Sequence, residues 1–235
     1  MCTVIVSFEP DSPTPVLLVG VRDEFLDRPW VRPGHHWPQW PELSGGQDLQ
    51  AGGTWLAVNE AVPRVACVLN GIGEPAAIRR SRGELPLLAA RGLATEGTGY
   101  DPYHLVVASP HEVWMSTWDG AELTRQELGP GLHFIVNSGL EGELDFPDRR
   151  GRDDMLRRIA HFRPRLASVP RPDPVKDDWG DWLPIVEGDG LEPLEPRAIV
   201  LRRELADGHF WGTSSVSLVA LGRDTHRYDF IDKSR

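Results

Sequence analysis

Apolar positions along this chain fall into short runs bounded by turn residues. CTVIVSF, at the start, is rich in β-branched residues and stops at Glu9-Pro10-Asp11-Ser12-Pro13, which predicts a strand followed by a turn. PVLLVGV follows and leads into Arg22-Asp23-Glu24, so the two runs read as a hairpin whose far end carries three charges. GTWLAVN and RVACVLN flank the turn EAVP as a second hairpin ending at Asn70, and HLVVAS with VWMSTWDG reads as a third. GLHFIVN is a further strand ending at Asn137, and AIVLRREL with WGTSSVSLVALG closes the chain as a strand pair before a polar tail.

Elsewhere the period changes. SRGELPLLAARG predicts a helix with Pro86 in its first turn and Gly92 as its stop. In RDDMLRRIAHFRPRL, Met155, Ile159, Phe162 and Leu166 recur at spacings of 4, 3 and 4, one apolar helical stripe. Residues 28 to 53, rich in Pro, Gly and Trp, predict a long ordered surface loop. The proline-rich acidic stretch over 168–197 predicts a loop or weakly helical excursion, peripheral to the core, that acts as a lid and partly covers a cleft. Strands in antiparallel pairs, with no βαβ alternation, predict an α+β layout in one domain spanning 1–235.

Composition narrows the function classes. With 235 residues, 40% of them apolar, the chain can bury a large core. A formal charge of −10 speaks against nucleic acid and anionic membrane surfaces, which require a basic face. No apolar run approaches the ~20 residues of a bilayer span, and no basic segment precedes CTVIV as in a secretion signal. Two cysteines, Cys2 and Cys67, are too few for a disulfide framework, which together predicts a reducing, cytoplasmic setting. His35-His36 lacks a third ligand at useful spacing, so no metal is expected. The glycines of GGTWL point to close packing rather than phosphate binding.

MCTVIVSF, VGVRDEFLDRP, GGTWLAVN, RVACVLNG, SRGEL, GLHFIVNSGL and WGTSSVSL, in this order, resemble the NRDE family, also called the transport-and-Golgi-organisation-2 family. The family is similar in layout to N-terminal nucleophile hydrolases of the choloylglycine hydrolase and penicillin V acylase type. The resemblance implies a four-layer αββα sandwich of two antiparallel sheets flanked by helices. It also implies a nucleophile at Cys2, an active-site arginine at Arg22 with Asp23 beside it, and strand-end asparagines at Asn70 and Asn137. Where the family motif begins with Asn, this chain has Val21.

The chemistry of these residue types fits that implication. Once Met1 is removed, Cys2 carries a thiol of pKa about 8.5 and an α-amine of about 7.7–8.0, so nucleophile and base share one residue. Arg22 would favour thiolate, and an asparagine amide is a suitable oxyanion donor. On local pattern alone, Cys2 is a small strand residue, the asparagines are turn formers and Arg22-Asp23 is a solvated ion pair. The function expected is hydrolysis of a non-peptide carbon–nitrogen amide bond through an acyl-enzyme on Cys2, with no cofactor. The alternative is a non-catalytic carrier that binds haem or an acyl lipid in the same cleft.

Overall fold

The computed structural model describes residues 2–234. Along the chain come strands β1 (Thr3–Phe8), β2 (Val16–Phe25), β3 (Trp30–Gly34), β4 (Leu43–Asp48), β5 (Leu56–Asn59) and β6 (Arg64–Asn70). A 3-10 turn (Arg82–Glu84) and helix α1 (Leu85–Ala90) precede β7 (Tyr103–Ala108), β8 (Val113–Trp118), β9 (Leu123–Glu127), β10 (Gly131–Val136) and β11 (Gly139–Leu140). Helices α2 (Arg149–Ser168) and α3 (Trp182–Val186) then lead to β12 (Arg202–Glu204), β13 (Phe210–Leu221) and β14 (His226–Asp232). One antiparallel sheet runs β11-β10-β1-β2-β13-β12, with β14 also paired to β13, and the other runs β3-β4-β5-β6-β7-β8-β9.

Strand alternation sorts the apolar side chains into layers. Val4, Val6 and Phe8 of β1, with Val16 and Leu18 of β2, face Leu56, Val58, Val65, Cys67 and Leu69 of the second sheet. Ile5, Leu17, Val19 and Val21 point the opposite way and pack with Met155, Ile159, Phe162 and Leu166 of α2. Because β1 and the first six residues of β2 are buried on both faces, they read as apolar runs without an alternating polar face. On the outer face of the second sheet, Leu85, Leu87 and Ala90 of α1 cover Leu43, Ala57 and Ala66. The result is the αββα sandwich.

The three hairpins form as expected, and so do both helices, α2 starting at an Asp148 cap that accepts the Arg150 N–H. Residues 28–53, expected to be a loop, instead contain β3 and β4. A Cβ on Gly45 would lie 2.4 Å from the Leu56 carbonyl oxygen, and one on Gly46 2.3 Å from the Trp55 ring. The glycines of β4 therefore admit close neighbours, a demand that propensity does not register. The polar tail likewise contains β14, whose Tyr228 and Phe230 pack against the core between the sheets.

The lid expectation for 168–197 is overturned. Trp179, Trp182, Ile185 and Val186 are buried with α2 against the first sheet. Arg171 donates to Ser7 Oγ at 2.9 Å and to the Pro15 carbonyl at 3.1 Å, at the far end of β1 from Cys2. Crowded prolines rule out long regular elements, but they leave aromatic side chains free to anchor an irregular chain. Trp182→Ala is expected to cost about 3–5 kcal/mol in chemical denaturation, as for a buried aromatic. A cost below about 1 kcal/mol, with first proteolytic cleavage in this segment, would restore the lid.

Candidate functional site

The site begins with register. Thr3 pairs with Val21 across β1–β2, so the residue before β1, Cys2, lies beside Arg22. Neighbouring residues of β2 face opposite ways, which sends Arg22 between the sheets and Asp23 towards α2. On the other side, β13 pairs Thr213 with Asp23 and Ser215 with Arg22, and the register shift between them is a bulge that leaves Ser214 extra. Both hydroxyls are used: Thr213 Oγ1 donates to Asp23 Oδ1 at 2.7 Å, and Arg22 donates to Ser214 Oγ at 3.0 Å.

Arg22, 6% exposed, stacks over the Trp55 ring at 4.5 Å and binds Asp48 Oδ2 at 3.2 Å. Arg28 binds the same carboxylate at 2.5 Å. Behind the sheet, Arg158 of α2, 1% exposed, lies 3.7 Å from Asp23 Oδ2 and donates to Thr3 Oγ1 at 2.6 Å and to the Ala198 carbonyl at 2.9 Å. Sequence reading missed Arg158. The signal was present, because position 158 stands three residues after Met155 and four before Phe162, inside the apolar stripe.

Asn70 ends β6 with an exposed side chain. Asn137, 6% exposed, spends its amide Nδ2 on the Asn70 carbonyl at 2.8 Å, so it holds the Asn70 backbone in place. Its own carbonyl meets His104 Nε2 at 3.2 Å, and His104 Nδ1 meets Thr117 Oγ1 at 2.9 Å. A cavity of about 240 Å³ is lined by Cys2, Arg22, Asp23, Trp55, Asn70 and Arg82, among others. A second cavity of about 240 Å³ shares Cys2, Asp23 and Asn70, and adds Asn137, Phe146 and Trp211. All five residues singled out in the sequence thus meet around Cys2. Val21 does not line either cavity and is buried beneath α2.

Burial is the main influence on the Cys2 thiol and raises its pKa, and Asp23 adds to this while Arg22 pulls it down. The expected tilt towards thiolate is therefore present in Arg22 but outweighed by desolvation. Cys67, deeper in the same core, is raised by burial and then by the Cys2 charge. Burial alone would raise Asp48, yet hydrogen bonds from Arg28 and the Ala51 N–H hold it below the usual carboxylate range.

Two facing antiparallel sheets with helices outside form an αββα sandwich, the fold class of N-terminal nucleophile hydrolases. Among solved structures the chain is similar to a Caenorhabditis elegans N-acylethanolamine-hydrolyzing acid amidase ortholog, at a TM-score of 0.50 and 10% identity over 96% of this chain and 99% of that one. That likeness is one of fold. No curated protein sequence matches. The family model described as Transport and Golgi organisation 2 matches residues 1–163, and the chain belongs to that family. Among the described residues, no helix is long and apolar enough to cross a membrane.

Arg158→Met removes the buried counter-charge that Arg158 supplies to Asp23, and is expected to lower stability by about 3–5 kcal/mol in urea denaturation. A change under about 1 kcal/mol would show the contact to be incidental. A second expectation concerns acid. Burial lowers the His104 pKa from 6.5 to about 4, with the Asn137 carbonyl opposing. Below pH 6.5 the unfolded chain binds a proton that the folded one refuses. The stability linked to His104 is therefore complete above pH 6.5 and declines towards about pH 4, by at most about 1.4 kcal/mol per unit. His104→Gln should flatten that decline relative to wild type, and parallel pH curves would refute the assignment.

Proposed function

We propose that this protein is a cysteine amidohydrolase in which Cys2 attacks a non-peptide carbon–nitrogen amide bond. The observation that carries the reading is the meeting of Cys2, Arg22, Asp23 and Asn70 at one small cavity. The reading requires removal of Met1, which lies outside the described residues. The freed α-amine would take the thiol proton, and the thiolate would add to the amide carbon to form a carbon–sulfur bond. The exposed Asn70 side chain is suited to donate to the resulting oxyanion. Collapse of this intermediate breaks the carbon–nitrogen bond as the ammonium returns its proton to the leaving amine. Water then hydrolyses the acyl-enzyme by the same route. Asn137 acts indirectly in this scheme, by holding the Asn70 backbone.

The carrier alternative has weaker support. Cavities of about 240 Å³ fall below the roughly 300–1,000 Å³ of sites that bury drug-sized ligands. The lining of the larger-charged one includes Arg22, Arg28, Arg82, Glu24, Asp48 and Asp101, a poor match to a porphyrin face or a long acyl chain.

Intact-mass measurement should find a chain beginning at Cys2. An alkylating reagent should label half-buried Cys2 well before Cys67, which is 4% exposed. Cys2→Ser should fold and lose all amide hydrolysis, and Asn70→Ala should retain labelling while turnover drops roughly 100-fold or more. Retained Met1, or hydrolysis that persists in Cys2→Ser, defeats the proposal.

A further inference from the structure

SRGEL, the motif that the chemistry above leaves unused, lines the cavity beside Cys2 through Ser81, Arg82 and Gly83. Its position is clamped. Thr54 N–H donates to the Gly83 carbonyl at 2.8 Å, and a Cβ on Gly53 would lie 2.5 Å from the Gly83 backbone. The two glycines let the GGTW and SRGEL segments touch, which fixes Arg82 relative to Trp55 and Arg22. Arg82 donates from one guanidinium nitrogen to the Pro102 carbonyl at 2.9 Å. That bond holds the side chain while most of its five donors stay available.

Charge accounting around the cavity leaves Arg82 in surplus. Asp23 faces Arg158, and Asp48 binds both Arg22 and Arg28. Glu24 lies 4.0 Å and 3.9 Å from the same two arginines. Asp101 binds Arg79 at 3.3 Å and accepts the Ala76 N–H at 3.1 Å. The fourth arginine of the lining, Arg80, pairs with Glu84 at 2.8 Å. Among the described residues no carboxylate lies within ion-pair distance of Arg82, although the residue is half-buried. A desolvated guanidinium without a counter-ion is costly in an empty site and favourable once an anion arrives. Burial lowers the Arg82 pKa, and both Asp101 and a Cys2 thiolate raise it, which puts Arg82 within the electrostatic reach of the thiol.

We infer that Arg82 binds a carboxylate of the substrate, so that the cavity takes a small amide bearing a carboxylate next to the bond to be cut, an N-acylamino acid in chemical class. The planar fork of arginine matches a carboxylate in two-point contact. The carboxylate of the leaving amino acid would lie at Arg82, and the acyl group would lie in the cavity lined by Phe146 and Trp211. The bond cut rests on the hydrolase reading; the anion rests on Arg82 alone.

Binding and turnover separate the two. In the full chain carrying Cys2→Ser, calorimetric titration should show N-acetylglycine binding at least tenfold tighter than its neutral amide, N-acetylglycinamide. Arg82→Gln in that background should abolish the preference, with an unchanged circular dichroism spectrum, and Arg82→Lys should keep part of it. If Arg82→Gln fails to fold, a reduced preference in Arg82→Lys carries the test. Equal affinity for acid and amide, binding of neither, or an undiminished preference in both Arg82 variants overturns the inference. Inorganic phosphate competing as well as N-acetylglycine overturns the carboxylate assignment. If the acid binds selectively but the wild-type chain never cleaves N-acylamino acids, the hydrolase reading fails and the Arg82 assignment stands. Cys2-dependent cleavage of acids and neutral amides at equal rates has the opposite consequence.

Discussion

Two opposite charges stand side by side in a buried strand, and the rest of the site follows from how they are accommodated. Arg22 and Asp23 are each 6% exposed. Isolated, each would cost several kcal/mol to desolvate. Because strand neighbours face opposite ways, they cannot satisfy one another fully, so each layer of the sandwich has to supply partners. Asp48 and Trp55 of the second sheet meet Arg22, and Arg158 of α2 meets Asp23. The bulge in β13 contributes a hydroxyl to each side. Sheet, sheet and helix are thereby tied at one strand end, which is where Cys2 begins.

The same arrangement makes the surroundings of Cys2 polar and narrow. Arginines and carboxylates form a nearly closed set of pairs around the thiol. Burial raises the thiol pKa against the pull of Arg22. Arg82 is the exception in this set, since among the described residues no carboxylate lies within ion-pair distance of it, whereas Arg22, Arg28 and Arg80 each have one.

A third layer of support lies below Asn70. Asn137 fastens the Asn70 backbone, and the neutral ring of His104 fastens the Asn137 carbonyl. Each link is a buried hydrogen bond whose loss would leave a polar group unsatisfied. The Asn70 backbone is thus held by a chain of buried hydrogen bonds running through Asn137 to His104.

Much of this was legible in the chain itself. Continuous apolar runs such as VLLVGV marked strands, and the 155–159–162–166 stripe marked a helix. The motifs around Cys2, Arg22, Asp23, Asn70 and Asn137 indicated residues that meet around two cavities sharing Cys2, although local hairpin register accounts only for Cys2 beside Arg22 and Asp23. The glycine strand β4, the buried tryptophans of the 168–197 segment and β14 were not legible, since each is stabilised by contacts with residues distant in sequence. Arg158 and Arg82 show the same limit in the site. An arginine's sequence neighbours do not reveal whether a carboxylate waits across the fold. Tertiary structure alone decided that Arg158 faces Asp23 and that, among the described residues, no carboxylate comes within ion-pair distance of Arg82, because long-range pairing of charges depends on which layers come together in space.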